Sequence, residues 1–156
     1  MTENGTNTAG YKKWHVIRSV VLGAPAAQVW DVIGGFYTIH EWHPDIVKTE
    51  VPATQTQTRQ LRRNLTFPGQ PMTTEELVSM DNSDFHYRYR WQHGHWGEEV
   101  KNYRASLRVF SGDLDRTCIV QWESTFEYPT DAISEFYWNG FRELQKRFPV
   151  GDEAQA

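Results

Sequence analysis

Residues 129–149, PTDAISEFYWNGFRELQKRFP, decide the fold of this chain. Pro129, Thr130 and Asp131 are typical of a helix start, and Pro149 ends the helix because proline cannot continue the hydrogen-bond ladder. Between them, apolar residues recur at helical spacing along one stripe, namely Ile133, Phe136, Tyr137, Gly140, Phe141, Leu144 and Phe148. The segment is therefore predicted to be a long C-terminal helix, ending near Phe148, that buries one face.

Six segments before this helix have the composition of β-strands. The clearest is 85–92, FHYRYRWQ, in which aromatic residues alternate with polar ones. The other predicted strands are 46–51, 58–67, 72–80, 100–110 and 117–128, and turn-forming residues separate most of them. Because the connections are short, these strands are predicted to be antiparallel neighbours.

The N-terminal part supplies one more strand and two short helices. Residues 14–23 are rich in Val and Ile and end at glycine, as strands do. Ala24 and Pro25 then open a helix that ends at Gly34, and residues 36–42 are predicted to form a second helical piece. The apolar face of the sheet needs a cover, and only the C-terminal helix is predicted to be long enough. The sequence thus predicts an α+β fold with a curved seven-stranded antiparallel sheet around that helix. An internal cavity is expected where a straight helix and a curved sheet fail to meet.

The bulk properties set the class of protein. A length of 156 residues fits one domain, expected at 13–149 between a disordered 1–12 and a flexible tail at 150–156. A net charge of -4 argues against nucleic-acid binding, and no apolar run approaches the ~20 residues of a membrane span. The first residues lack a secretory signal, so a cytoplasmic monomer or homodimer is expected. The single cysteine, Cys118, is predicted to be a buried thiol.

The order of elements and several short motifs resemble a known superfamily over about 14–148. The motifs are Ala24-Pro25 with Val29-Trp30, Trp42-His43-Pro44, Arg59-Gln60-Leu61, Glu75-Glu76-Leu77 with Asp81, Asn102-Tyr103 and Trp122-Glu123-Ser124-Thr125-Phe126. Together they resemble the START-like (SRPBCC) helix-grip proteins, which include polyketide cyclases and birch-pollen-allergen-like proteins. The closest pattern is the bacterial branch that is similar to the plant abscisic-acid receptors.

The resemblance implies a ligand cavity whose polar lining is Arg59, Glu75, Tyr103 and Glu123. Residues 67–71, FPGQP, would take the place of the receptors' gating loop. The receptors' own gate residues are absent, however, and their second loop is replaced by HGHWGE at 93–98. Hormone perception and a phosphatase partner are therefore not expected here.

Two carboxylates are candidates for acid–base chemistry. A carboxylate that faces an apolar cavity suits proton transfer, so Glu75 and Glu123 are candidate catalytic residues. Strand alternation leaves an alternative in which each faces solvent. For Glu123 this depends on whether Trp122 is the inward residue of the pair.

A tyrosine and two arginines complete the candidate polar lining. Tyr103 shares its face with three apolar residues of its strand, so its hydroxyl needs a partner inside, either a ligand or the protein. Arg59 and Arg63 share their face with Leu61 and Leu65. If they are buried they need anionic partners, supplied by the two carboxylates in an ion-pair network or by an anionic ligand.

Four histidines form two short-spaced pairs, His40 with His43 and His93 with His95. Neither pair is part of a recognisable metal motif, so no metal and no cofactor are predicted. His43 is instead a candidate proton carrier at the cavity mouth, because histidine titrates near neutral pH.

The remaining candidate ligand contacts are largely apolar: Trp42, His40, Leu61, Phe67, Tyr87, Tyr89, Trp91, Phe136 and Trp138. Gly140 is predicted to leave a gap for a ligand, or for close approach to the sheet, since glycine inside a helix costs about 1 kcal/mol relative to alanine. The candidate polar lining, together with what the resemblance implies, favours a cofactor-independent cyclase, dehydratase or isomerase acting on a small aromatic or hydrophobic molecule, whereas the apolar walls alone would suffice for a carrier. The alternatives are a non-catalytic carrier or sensor of a hydrophobic metabolite, and an accessory subunit that docks a partner protein.

Overall fold

A computed structural model describes residues 10–53 and 61–151 of the chain. Its elements in chain order are β1 (Lys12–Leu22), α1 (Ala26–Ile33), a 3-10 turn (Ile39–Glu41), β2 (Lys48–Glu50), β3 (Arg62–Thr66), β4 (Thr73–Asp81), β5 (His86–His93), β6 (His95–Trp96), β7 (Glu98–Glu99), β8 (Lys101–Ser111), a second 3-10 turn (Asp113–Asp115), β9 (Cys118–Tyr128) and α2 (Ser134–Arg147).

The described strands form one antiparallel sheet of seven, in the order β1-β9-β8-β5-β4-β3-β2, and a separate β6–β7 hairpin. The predicted α+β architecture, with two short helical pieces after β1, is therefore confirmed. The predicted start of the third strand, at residue 58, lies outside the described residues. Bulges interrupt the pairing in β4 and at the start of β8. Since a bulge bends a strand and increases its twist, they help to curve the sheet around α2.

The inner face of the sheet carries the core. Trp122, Tyr87, Tyr137 and Phe141 are fully buried, and rings are the main filling between sheet and helix. Trp122 of β9 stacks on Tyr137 of α2, with 4.4 Å between ring centroids. Cys118 is buried in the same layer, as predicted, and burial raises the pKa of its thiol to about 11.

The start of α2 is fixed by a carboxylate. Asp131 Oδ1 accepts hydrogen bonds from the backbone amides of Ile133 and Ser134, and its Oδ2 accepts one from the Ser134 hydroxyl. Such bonds satisfy amides that the first helical turn leaves without partners. The described residues contain no helix that is both long and apolar enough to cross a membrane.

Gly140 lies where α2 meets the segment before β2. A Cβ atom built on it would come within 2.7 Å of His43 Cδ2 and 3.1 Å of a Trp42 ring carbon. The missing side chain thus makes room for these two rings. Gly140 allows close approach of the helix, and the alternative prediction, that it leaves a gap for a ligand, is wrong.

We expect Gly140→Ala to destabilise the protein by about 1–3 kcal/mol, because the overpacking cost exceeds the gain in helix propensity. Urea unfolding measures the difference. The matched control is Gln145→Ala, at an exposed position of the same helix, which should be neutral or slightly stabilising. A Gly140→Ala protein as stable as the wild type would contradict this account of the glycine.

Candidate functional site

A small aromatic chamber lies between the inner face of the sheet and the start of α2. Its volume is about 30 Å³, and it is lined by Ile39, Leu65, Phe67, Glu75, Tyr89, Trp91, Trp96, Tyr103, Ile133 and Phe136. The strands supply the side chains that alternation directs inward, and α2 closes the top. The chamber is the place where curved sheet and straight helix part, but the aromatic rings leave only a small part of it empty.

A wider cleft of about 220 Å³ lies next to the chamber. It opens between the 67–71 turn, strand β6 and the first half of α2. Phe67, Trp96 and Phe136 line both spaces. These three rings therefore stand between the chamber and the cleft, and we call them the aromatic gate.

The chamber wall contains a buried ion pair. Glu75 Oε1 lies 2.7 Å from Arg63 Nε and 2.6 Å from Arg63 Nη2, and neither side chain is more than 5% exposed. Arg63 Nη1 donates to the backbone carbonyl of Phe36 at 2.5 Å, and the guanidinium lies 4.2 Å from the centre of the Phe36 ring. Bonds and a ring contact of this kind compensate a charge that has lost its water.

The second oxygen of Glu75 meets an indole. Trp91 Nε1 donates to Glu75 Oε2 at 2.6 Å, and Trp91 and Glu75 both line the chamber. Each carboxylate oxygen has about two acceptor sites, so Oε2 keeps one that Trp91 does not use. Glu75 is thus a fixed hydrogen-bond acceptor in an aromatic surrounding.

A pair of tyrosine hydroxyls forms the second polar feature. Tyr103 Oη and Tyr137 Oη lie 3.1 Å apart, and both residues are buried. Burial raises the pKa of each phenol above its ordinary value, most clearly for Tyr103. Both hydroxyls therefore keep their protons at neutral pH and can donate a hydrogen bond.

His43 is held by backbone groups on both sides of its ring. The amide of Asp45 donates to Nδ1 at 3.1 Å, so Nε2 carries the hydrogen and donates to the Phe136 carbonyl at 2.7 Å. The ring also stacks on Phe136, with 3.9 Å between centroids. Burial lowers the pKa of His43 to about 4, although the bond to the Phe136 carbonyl acts in the opposite direction. His43 is a neutral clamp between two segments, and the expectation of a proton carrier is not met, since neither nitrogen is free.

Two further residues, Glu123 and Leu61, are not directed into the chamber as the sequence predicted. Glu123 lies on the outer face of β9, where its carboxylate bonds His15 Nε2 at 2.6 Å, because Trp122 is the inward residue. Leu61 is 42% exposed, since it precedes the first ladder pair of β3, Arg62 with Glu76.

Several predicted ligand contacts lie away from the chamber. His40 turns toward β2, where Nδ1 lies 2.9 Å from Thr49 Oγ1. Trp42 packs on Trp122 in the core, Tyr87 packs against Arg63, and Trp138 is 38% exposed on the outer side of α2. Arg59 lies outside the described residues. Phe67, Tyr89, Trp91 and Phe136 do line the chamber.

Sequence reasoning missed the chamber residues Ile39, Leu65, Trp96 and Ile133, and also Tyr137 beside the chamber. Tyr137 was assigned only to the helix stripe, yet it partners Tyr103. Trp96 was assigned to a loop, yet its ring packs on Trp91, Tyr103, Phe126 and Tyr128. A tryptophan between Gly94 and Gly97 in a polar segment was the available signal. The Tyr128 hydroxyl donates a hydrogen bond to the Trp96 carbonyl and so holds the β6–β7 hairpin against the end of β9.

Comparison with known proteins gives a family match over most of the chain. The model of the family described as polyketide cyclase / dehydrase and lipid transport matches residues 13–148. No curated protein matches.

Solved structures share the fold. A Bacillus thuringiensis protein is 24% identical, with a TM-score of 0.75 over 86% of this chain and 98% of its own. XoxI from Bacillus cereus is 26% identical, with a TM-score of 0.73 over 86% and 94%. The Zhui aromatase/cyclase from Streptomyces sp. R1128 is 14% identical, with a TM-score of 0.70 over 87% and 93%. At 14% identity the likeness to Zhui establishes the fold and not the activity.

The buried His43 predicts a pH dependence of stability. Its folded pKa of about 4 lies below the ordinary 6.5, so the unfolded chain binds the proton first as the pH falls. The contribution of neutral His43 to the free energy of unfolding is complete above about pH 6.5 and is lost progressively as the pH falls to about 4. At pH 5 the free energy of unfolding should be about 2 kcal/mol lower than at pH 7.5 because of this residue alone.

Urea unfolding of the wild type and His43→Gln at both pH values isolates this contribution. The stability difference between the two proteins should shrink by about 2 kcal/mol at pH 5. His93→Gln, at an exposed position, is the control and should follow the wild type. An NMR titration that gave His43 a pKa near 6.5 would contradict the prediction.

Proposed function

Because the chain belongs to the polyketide cyclase / dehydrase and lipid transport family, we propose that it binds a small, flat, largely apolar molecule between its sheet and α2. We further propose that it promotes proton transfer on that molecule, as a cofactor-independent cyclase- or dehydratase-like enzyme. The observation that carries the proposal is the pairing of a buried carboxylate with a buried phenol in one aromatic chamber.

The chamber and cleft together define the shape of the ligand. Entry requires the aromatic gate to rotate, since the chamber alone, at about 30 Å³, holds little more than a water molecule. Once the gate has moved, a ring system reaches from the 220 Å³ cleft to Glu75. The lining is mainly aromatic, so the ligand is held by ring packing and a few polar contacts.

The polar groups suit a molecule with both a carbonyl and a proton to lose. The Tyr103 hydroxyl donates to the carbonyl oxygen and stabilises the negative charge that grows there in an enolate. The free acceptor site on Glu75 Oε2 takes the proton. Arg63 and Trp91 hold the carboxylate in one orientation, Arg63 from outside the chamber and Trp91 as part of its wall.

A non-catalytic carrier is the second candidate, and one observation favours it. Both oxygens of Glu75 already accept hydrogen bonds from Arg63 and Trp91, so the carboxylate serves to neutralise Arg63 and its burial requires no catalytic role. In a carrier, Glu75 accepts a hydrogen bond from a ligand hydroxyl and no bond is made or broken.

Binding is tested with 2-naphthol, a flat aromatic alcohol. We expect saturable NMR shifts for the amides of chamber residues such as Leu65, Tyr89 and Ile133. Leu65→Phe fills the chamber and should weaken binding at least fivefold, whereas Leu107→Phe, the same change at a buried position outside the chamber, should not. Amide shifts spread over the outer surface, or an equal loss of affinity in both variants, would refute the proposed binding site. Native mass spectrometry of the wild type independently detects any small molecule that co-purifies.

Catalysis is tested with Glu75→Gln on the compound recovered in this way. An enzyme should lose at least about 100-fold in turnover while its affinity changes little, because general acid–base groups contribute about that much. A carrier shows no turnover in the wild type, and Glu75→Gln then reduces affinity alone. Since the substitution leaves Arg63 buried without its partner, at a cost of about 3–5 kcal/mol, the double variant Arg63→Met/Glu75→Gln is measured beside it. The double variant should recover stability and remain inactive.

A further inference from the structure

The outer face of the sheet carries a row of charged side chains that the chamber does not use. Arg62 of β3, Glu76 of β4, Arg90 of β5 and Arg104 of β8 are consecutive cross-strand partners. Arg62 and Arg90 both bond the Glu76 carboxylate, at 3.2 and 2.5 Å, and cover it so that its side chain is only 3% exposed. We call these four residues the arginine row.

The row has an excess of positive charge at its β8 end. Arg90 and Arg104 are directly opposite each other, and like charges in that position destabilise a sheet. Glu76 offsets part of the charge on the Arg90 side. The side chain of Arg104 is exposed and makes no hydrogen bond or ion pair with any described residue. This excess occurs in a chain whose net charge is -4.

A groove of about 440 Å³ opens beside these two arginines. The last ladder pair between β5 and β8 is Arg90 with Arg104, and the next backbone bond between the two segments runs from the Val100 amide to the Gly94 carbonyl. Lys101 and Glu99 also line the groove, so its charged lining is three basic residues and one acidic residue. Its size is that of a small-molecule pocket rather than a flat patch for a macromolecule.

We propose that this groove binds a small molecule through an oxyanion group, a phosphate or a carboxylate. The planar guanidinium of Arg104 is free to form paired bonds with such a group. The bound anion also removes the repulsion between Arg104 and Arg90. This site is separate from the chamber and does not depend on the proposed function.

The groove shares a wall with the chamber. Trp91 and Tyr103 stack at 4.2 Å between ring centroids, and both residues line the groove as well as the chamber. Their neighbours Arg90 and Arg104 point outward because side chains alternate along a strand. An anion in the groove therefore sits against the far side of the wall that a chamber ligand contacts.

The test is an NMR titration with sodium pyrophosphate and, separately, sodium citrate, at constant ionic strength. We expect saturable amide shifts confined to residues 90–92 and 99–104. Binding should also raise the Tm, since a ligand that binds only the folded state stabilises it. Arg104→Gln should weaken binding at least tenfold. The matched control is Arg108→Gln on the same strand and face, outside the groove and paired with Asp84, and it should change affinity less than twofold.

The outcomes separate the sources of the oxyanion. Saturation by pyrophosphate alone identifies a phosphate site, saturation by citrate alone a carboxylate site, and saturation by both a general oxyanion site. No saturable shift with either compound would overturn the proposal. Equal weakening in Arg104→Gln and Arg108→Gln would overturn it as well, because the effect would then be one of overall charge.

Discussion

A straight helix has to cover the inner face of a sheet that curves away from it. Helix α2 has 14 residues and is thus about 21 Å long, while the sheet is seven strands wide. Contact is close where Trp122 stacks on Tyr137 and where Gly140 admits His43. Toward the start of α2 the two surfaces separate, and large rings fill most of the difference. Both the chamber and its aromatic lining follow from this mismatch.

The same mismatch explains why charged groups are buried nearby. The space beside α1 and the Phe36 segment is closed by Arg63, whose long side chain reaches a backbone carbonyl that no strand or helix satisfies. Burying the guanidinium requires a carboxylate within contact, and Glu75 on the neighbouring strand is its registered partner. The ion pair fixes the orientation of Glu75. The same contact therefore fills the space and supplies part of the polar lining of the chamber. The same carboxylate neutralises Arg63 and lines the chamber, so its burial has a structural explanation that holds for an enzyme and for a carrier alike.

The sequence predicts the element order because periodicity is strong in long strands and in α2, and it fails where periodicity is short or shifted. Trp122 and Glu123 are consecutive, so their orientation depends on a register that the pairing of β9 with both β1 and β8 fixes. The β6–β7 hairpin has two residues in each strand, too few to show alternation, and Trp96 was missed for that reason. Glu75 and Glu76 point to opposite faces, yet both are buried. Alternation places Glu76 outward, but it does not show that two arginines would cover it.

Strand alternation also links the two faces of the sheet. The chamber-lining residues of β5 and β8 are Tyr89, Trp91 and Tyr103, and each is next in sequence to Arg90 or Arg104 of the outer face. Beyond the last β5–β8 pair the Val100 amide donates to the Gly94 carbonyl at 3.0 Å, and between these points the stack of Trp91 on Tyr103 forms the wall. Stacked rings change position at lower cost than paired strands, because a ring can move without breaking a backbone hydrogen bond. The chamber and the groove consequently meet at a wall formed by these two rings, so a shift of either ring changes the shape of both spaces.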